Sequence, residues 1–206
     1  MARRSDHSKD EQRAMAIAAA IEIVNGEGWR ALSARKVATR IGYTVGSLYL
    51  VFRNFDELIV HVNADTLDEL LNVLKGSLSA NRKPESSVVD LAHAYLTFAY
   101  ENGARWEMVF EHRFQNTSVV PSWYQARVAS LFAFVESVIQ PMCANLPDDQ
   151  IHITARSLWS GVHGITILSK TGKLDIADIE SVDVLIGSLI SNFLAGLKVR
   201  TREIEE

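Results

Sequence analysis

Hydrophobic positions along the 206 residues recur at three- and four-residue spacing, and no long window alternates apolar with polar residues. That period belongs to helices with one buried face, so the pattern predicts an all-α protein. A first helix is expected over about 8–26, with Met15, Ala18, Ala19, Ile21 and Ile23 available to its inner side. Gly26 and Gly28 stop it, and Trp29 and Leu32 anchor the turn that follows. Ser33 stands where an N-cap belongs, ahead of a short helix over 34–40, because its hydroxyl can accept from the orphan amides of a first turn. Gly42 suits the left-handed residue that ends such a helix, and Thr44 suits the cap of a third one through Leu50.

A long fourth helix is expected over 56–79, followed by a break at 81–84. Further helices are expected over 85–101 and 104–114, after Pro121, after Pro147 to about 169, and over 179–200. Loops or turns are expected at 117–118 and 171–175.

Two short helices joined by a tight turn are what reading of a DNA major groove requires: the first crosses the backbone and the second presents its first residues to base edges. In the stretch SARKVATRIGYTVGSLYLVF, Val37, Ala38 and Ile41 can pack the first helix. Gly42 makes the turn, Leu48 and Phe52 face inward, and Thr44, Val45, Gly46 and Ser47 face outward.

Charge modifies this picture. The chain carries a net charge of -4, but residues 1–53 hold nine Lys/Arg against five Asp/Glu, and the remainder twelve against twenty. The helix-turn-helix end is thus at +4 and the rest at −8. DNA affinity comes from counterions displaced at phosphates and needs only a local basic surface. Solvated surface charge is the alternative reading of those cations. The single cysteine, Cys143, rules out an intramolecular disulfide and fits a reducing, cytoplasmic setting. The basic residues of MARRSDHSKDEQ have no apolar run behind them before Ala14, which reads against a secretory leader. The apolar stretch 184–199 is broken by Ser188, Ser191 and Asn192 and falls short of the roughly 20 residues that span a membrane, so a buried helix is expected there.

The run GWRALSARKVATRIGYTVGSLYLVFRNFDELI resembles the DNA-binding domain of the TetR (tetracycline-repressor-like) family. The resemblance covers about residues 11–62 and rests on Gly28, Ser33, Val37, Ala38, Gly42, Thr44, Gly46, Ser47, Leu48, Tyr49, Phe52 and Leu58. It implies a helix-turn-helix domain over 9–69 (motif 33–52) and an effector-binding and dimerisation domain over 70–206. Between them it implies a long connecting helix. It implies a ligand-responsive repressor, without cofactor, that binds double-stranded palindromic DNA as a homodimer.

At matched positions Ser33 and Tyr49 would hold phosphates, while Arg35, Lys36, Thr44, Val45, Gly46 and Ser47 would lie near the groove. The alternative for Tyr49 is a ring packed beneath the motif. Two positions depart from the family pattern. Val51 stands where a His or Tyr is customary, and Phe55 where a Lys is. Arg53, or an arm of Arg3, Arg4 and Lys9, would have to compensate, and a helical dimer with degenerate DNA binding is the alternative.

Farther on, SLWSGVHGITIL places Trp159 and His163 on one helical face and resembles the Trp-x-x-x-His-Gly signature of a subclass of these regulators. The alternative for His163 is a satisfied core histidine. The resemblance implies that the last two helices form a four-helix dimer interface, with Gly187, Ser191 and Ala195 allowing close packing. Burial within one monomer is the alternative. For the aromatic middle the resemblance implies a small apolar or amphipathic effector, with Trp106, Phe110, Trp123 and His163 as candidate pocket lining against an ordinary core.

An enzyme is the rival class. Glu107, Glu111 and His112 could share a helix, and Asp90 and His93 have carboxylate–imidazole spacing. A di-iron bundle site needs two Glu-x-x-His units with further carboxylates, which the sequence lacks. It has no phosphate-binding glycine loop, HExxH or nucleophile elbow either, so neither metal site nor catalytic residues are expected.

Overall fold

The computed structural model describes residues 7–79, 82–113, 120–143, 145–176 and 181–203. The expected arm residues Arg3 and Arg4, the loop at 117–118, Asn81 and Phe114 lie outside the described residues. The fold is all-helical, and among the described residues no strand forms.

Local chemistry sets the first elements. Helix α1 (Lys9–Glu27) opens with a capping box: Ser8 Oγ accepts from the Glu11 amide at 3.2 Å, and Glu11 Oε2 accepts from the Ser8 amide at 2.7 Å. It stops at Gly28, whose φ of 82° favours glycine. A 3-10 turn, Trp29–Ala31, leads to α2 (Ala34–Arg40) and α3 (Val45–Leu48). Helix α4 (Phe55–Gly76) follows, its first turn capped by Asn54 Oδ1, which accepts from the Glu57 amide at 2.8 Å. The later helices are α5 (Pro84–Glu101), α6 (Gly103–Glu111), α7 (Ser122–Ile139), α8 (Asp148–Lys170), α9 (Lys173–Ile176) and α10 (Val182–Glu203). The turn expected at 171–175 is therefore partly α9.

The chain forms two compact units, Met1–Asp68 with Asn102–Gln125, and Glu69–Glu101 with Ala126–Glu206. The boundary falls inside α4. In the first unit Ile23 and Val24 of α1, Val37 of α2, Leu48 of α3, Phe52 and Leu58 and Val62 of α4 form the core. Met108 of α6 is fully buried in that same core, so a helix distant in sequence closes the reading head. Arg30 to Glu111 at 2.7 Å and His112 to Asp56 at 3.1 Å tie the same elements at the rim.

In the second unit α5, α8 and α10 pack on one another. Tyr95 and Phe98 of α5, Ala155 and Leu158 of α8, and Ile186 and Ile190 of α10 are buried. Gly161 permits the approach of α8 to α10, since a methyl added there would stand 2.8 Å from Leu189 Cδ2. The expectation that the last apolar stretch is buried holds only for one stripe of α10. Val182–Thr201 spans 20 residues and holds an 18-residue window with a mean hydropathy of 1.6, long and apolar enough to cross a membrane, yet only 17% of that window is buried. Gly187, Ser191 and Ala195 are all exposed.

Candidate nucleic-acid interface

The two motif helices are built by their caps. Ser33 Oγ accepts from the Lys36 amide at 3.3 Å, and Thr44 Oγ1 accepts from the Ser47 amide at 3.1 Å. Between them Gly42 adopts a φ of 75°, and the Tyr43 amide donates back to the Ala38 carbonyl at 2.9 Å. A residue with a Cβ pays steric strain in that left-handed region, so glycine makes this corner possible. Val37, Ala38, Leu48 and Phe52 turn into the core, and Thr44, Val45 and Gly46 stay exposed, with Ser47 half-buried. Tyr49 is 46% exposed and its ring is therefore not packed beneath the motif. Val51 is buried in the core and Phe55 packs against that core, which accounts for their departure from phosphate-binding residue types.

Two supports escaped sequence reasoning. Gln12 Nε2 donates to the Ser47 carbonyl at 3.4 Å, and Arg13 Nη2 donates to the Val51 carbonyl at 2.7 Å while its guanidinium lies 5.7 Å from the Phe52 ring centroid. Both side chains sit on α1 and reach main-chain carbonyls, one in α3 and one in the turn after it, and so tie the first helix to the motif. Their only sequence signal is a polar pair at the start of an apolar helix.

The cations are mostly engaged. Lys36 Nζ lies 2.5 Å from Glu27 Oε2, Arg40 lies 3.1 Å from Glu22, and Arg53 Nε lies 3.5 Å from Glu57. The hydrogen bond from Lys36, reinforced by its charge, holds the Glu27 carboxyl below the usual carboxylate range. On α2, Arg35 is exposed and has no partner among the described residues.

The four candidate pocket residues separate. Trp106, Phe110 and Trp123 belong to the first unit, where Trp106 meets Phe110 and Trp123 stacks on His61 at 4.7 Å. His163 belongs to the second unit, stacked on Trp159 at 4.9 Å, with Nδ1 2.6 Å from the Tyr95 hydroxyl. Burial pushes the His163 imidazole below its ordinary value and favours the neutral ring. Tyr95 and Trp159 border an apolar cavity of about 50 Å³ walled by Leu74, Leu91, Val135, Ile139 and Val162, all from the second unit.

Of the rival chemistry, Glu111 pairs with Arg30, Asp90 lies 2.6 Å from Arg82, and His93 is 3.8 Å from Asp183. Among the described residues no group of three or more His, Cys, Asp or Glu side chains could hold a metal ion.

Residues 16–62 match the family model of bacterial regulatory proteins of the tetR family, and residues 88–193 match the tetracyclin repressor-like C-terminal domain. The chain belongs to the TetR family. It is a DNA-binding transcriptional regulator. It is similar to an HTH-type transcriptional regulator of Bacillus subtilis, at 27% identity over 191 residues, 92% of this chain and 94% of that protein. A second such regulator, from Mycobacterium tuberculosis, is 25% identical over 182 residues, 88% of this chain and 79% of that protein. The fold is shared with a tetR-family transcriptional regulator from Streptomyces coelicolor, at a TM-score of 0.66 and 15% identity, covering 96% of this chain and 90% of that one.

Proposed function

We propose that this TetR-family protein is a cytoplasmic, ligand-responsive repressor without catalytic activity that grips a palindromic operator as a homodimer. The observation that carries the reading is the open face of the motif. Caps and core fix α2 and α3, while Val45, Gly46 and Tyr49 face outward with nothing of the first unit's core laid over them. Ser33, Arg35 and Lys36 would meet one phosphate backbone, Tyr49 and Arg53 would hold the other side, and Thr44, Val45, Gly46 and Ser47 would enter the groove.

Dimerisation is proposed through α8 and α10, with Gly187, Ser191 and Ala195 near the crossing. Val184 at 68% exposure and Val199 at 55% supply apolar area that a second copy would remove from water. Two heads then reach grooves about 34–36 Å apart, or a multiple of that.

The second unit is proposed to be of the Trp-x-x-x-His-Gly type and to take a small apolar effector. Its cavity is apolar, and Tyr95 in its wall carries the hydroxyl that meets His163. At about 50 Å³ it is far smaller than the roughly 300–1,000 Å³ of drug-sized sites. The effector is therefore compact, or widens the cavity as it enters. Since α4 runs through both units, a ligand that favours one arrangement of this helix changes operator affinity, and linkage makes the opposition reciprocal.

The test combines oligomeric state in solution with selection of bound duplexes from a random pool. A dimer that enriches a two-fold-related site, held less tightly as salt rises, supports the reading. A monomer that ignores every duplex at low ionic strength ends it.

A further inference from the structure

We infer that α3 identifies operator thymines by their 5-methyl groups, through Val45 and through Leu50 in the turn that follows, and itself forms no paired hydrogen bonds to guanine or adenine. The inference rests on the proposed docking of α3 in the major groove and adds what that face recognises there.

The argument begins with what the segment lacks. Between Arg40 and Arg53 the sequence is IGYTVGSLYLVF, without a guanidinium, ammonium, side-chain amide, imidazole or carboxylate. Guanine is read in the major groove by Arg or Lys, adenine by Asn or Gln, and cytosine by Asp or Glu. None of those readers is available from α3 or its flanking turns.

Four hydroxyls remain, and the structure occupies three of them. Tyr43 Oη is 2.8 Å from His7 Nδ1, and Thr44 Oγ1 is 2.9 Å from Ser47 Oγ while also capping the Ser47 amide. Thr44 Oγ1 is held by the cap, and the hydroxyls of Ser47 and Tyr43 can each add a single bond to a base but not the paired bonds that single out guanine or adenine. The fourth, on Tyr49, is the proposed phosphate ligand.

What the head does extend is aliphatic. Val45, the first residue of α3, is 36% exposed, and Leu50, in the turn after it, is 69% exposed. Single exposed apolar residues are ordinary on protein surfaces and carry nothing by themselves. Here Val45 is among the residues proposed to enter the groove and Leu50 follows in the next turn, within a segment that carries none of the paired hydrogen-bonding readers. The apolar feature that B-DNA offers in its major groove is the thymine C5 methyl. A branched aliphatic side chain set against it removes both from water.

Covering one methyl-sized group is worth about fourfold in Kd. The experiment uses the full-length protein and the duplex enriched from a random pool, with each thymine replaced in turn by deoxyuridine. That change deletes the methyl and keeps every hydrogen-bonding group. One or two positions in each half-site are expected to lose about fourfold in affinity, read by fluorescence anisotropy. Val45→Ala or Leu50→Ala should abolish the sensitivity at its own position while the protein still binds. Both side chains lie outside the core, and the uracil scan on the unaltered protein needs no variant at all. Should every uracil duplex bind as tightly as its parent, methyl recognition is wrong while DNA binding stands. Should no duplex be held at low salt, the docking of α3 fails first and this inference falls with it.

Discussion

Gly46 offers a substitution whose effects on folding and on DNA binding should point in opposite directions. Its backbone lies outside the positive-φ region, and a methyl built on it meets only Thr44 Oγ1, at 3.7 Å, an ordinary van der Waals contact. Alanine there costs no strain and fixes a backbone that glycine leaves loose in the unfolded chain. Glycine inside a helix is about 0.5–1 kcal/mol worse than alanine, and α3 spans a single turn, so the gain belongs at about 0.5 kcal/mol. With an m-value of roughly 2–3 kcal/mol/M the urea midpoint should rise by about 0.2 M.

The same methyl projects from the outer face. Where backbone approaches DNA closely, an intruding carbon is an overpacking problem of about 1–3 kcal/mol, or roughly 5- to 150-fold in Kd. Gly42→Ala provides the contrast. Space around Gly42 is equally open, but its φ of 75° is left-handed, and a Cβ there costs about 1–2 kcal/mol, so stability and binding should fall together. Urea unfolding and anisotropy on a selected duplex measure both quantities. Unchanged affinity in Gly46→Ala would remove this glycine from the interface, and a lowered midpoint would refute the helical argument.

Two further perturbations address charge. Because burial lowers the His163 value below 6.5, the unfolded chain takes up the proton first as pH falls. Stability is therefore intact above pH 6.5 and declines through the window beneath it, until the folded form protonates as well. His163→Gln should flatten that decline in the urea midpoint, and an equal slope in both proteins would contradict it. Glu27→Gln frees Lys36 and removes one of the two carboxylates that hold Arg40, so DNA should be retained to higher salt with a steeper salt dependence. The melting temperature should hardly move, because the pair is exposed. An unchanged salt slope would mean that these cations do not reach phosphates.

The parts of the head that could be read from sequence are those decided by near neighbours. Ser33 and Thr44 cap because a hydroxyl three residues ahead of an amide can do little else there, and Gly42 turns because its φ excludes other residues. What could not be read is pairing across long stretches of chain. Met108 enters the core of α1 and α3 from more than fifty residues away, and nothing in GARWEMVFE distinguishes that face from any other amphipathic helix. Likewise the spacing of Trp159 and His163 announced a shared face, but the Tyr95 hydroxyl that meets the imidazole comes from another helix, 68 positions earlier. Gln12 and Arg13 were invisible for the same reason: the carbonyls they satisfy belong to residues 35 and 38 positions on.

Sequence also says how apolar a helix is without saying what covers it, and α10 is the case where that matters for function. Only 17% of its apolar window is buried by its own chain. The head supplies an independent reason for the proposed second copy. Lys36, Arg40 and Arg53 are each drawn to a carboxylate, so one head brings few unencumbered cations to DNA. Each phosphate neutralised contributes about 0.9 to the salt slope, and a head with so few contacts holds DNA weakly. Methyl contacts worth about fourfold each do not make up the difference. Joining two heads doubles the contacts without altering either, which is the reason for the proposed pairing through α8 and α10, where Val184 and Val199 stand exposed.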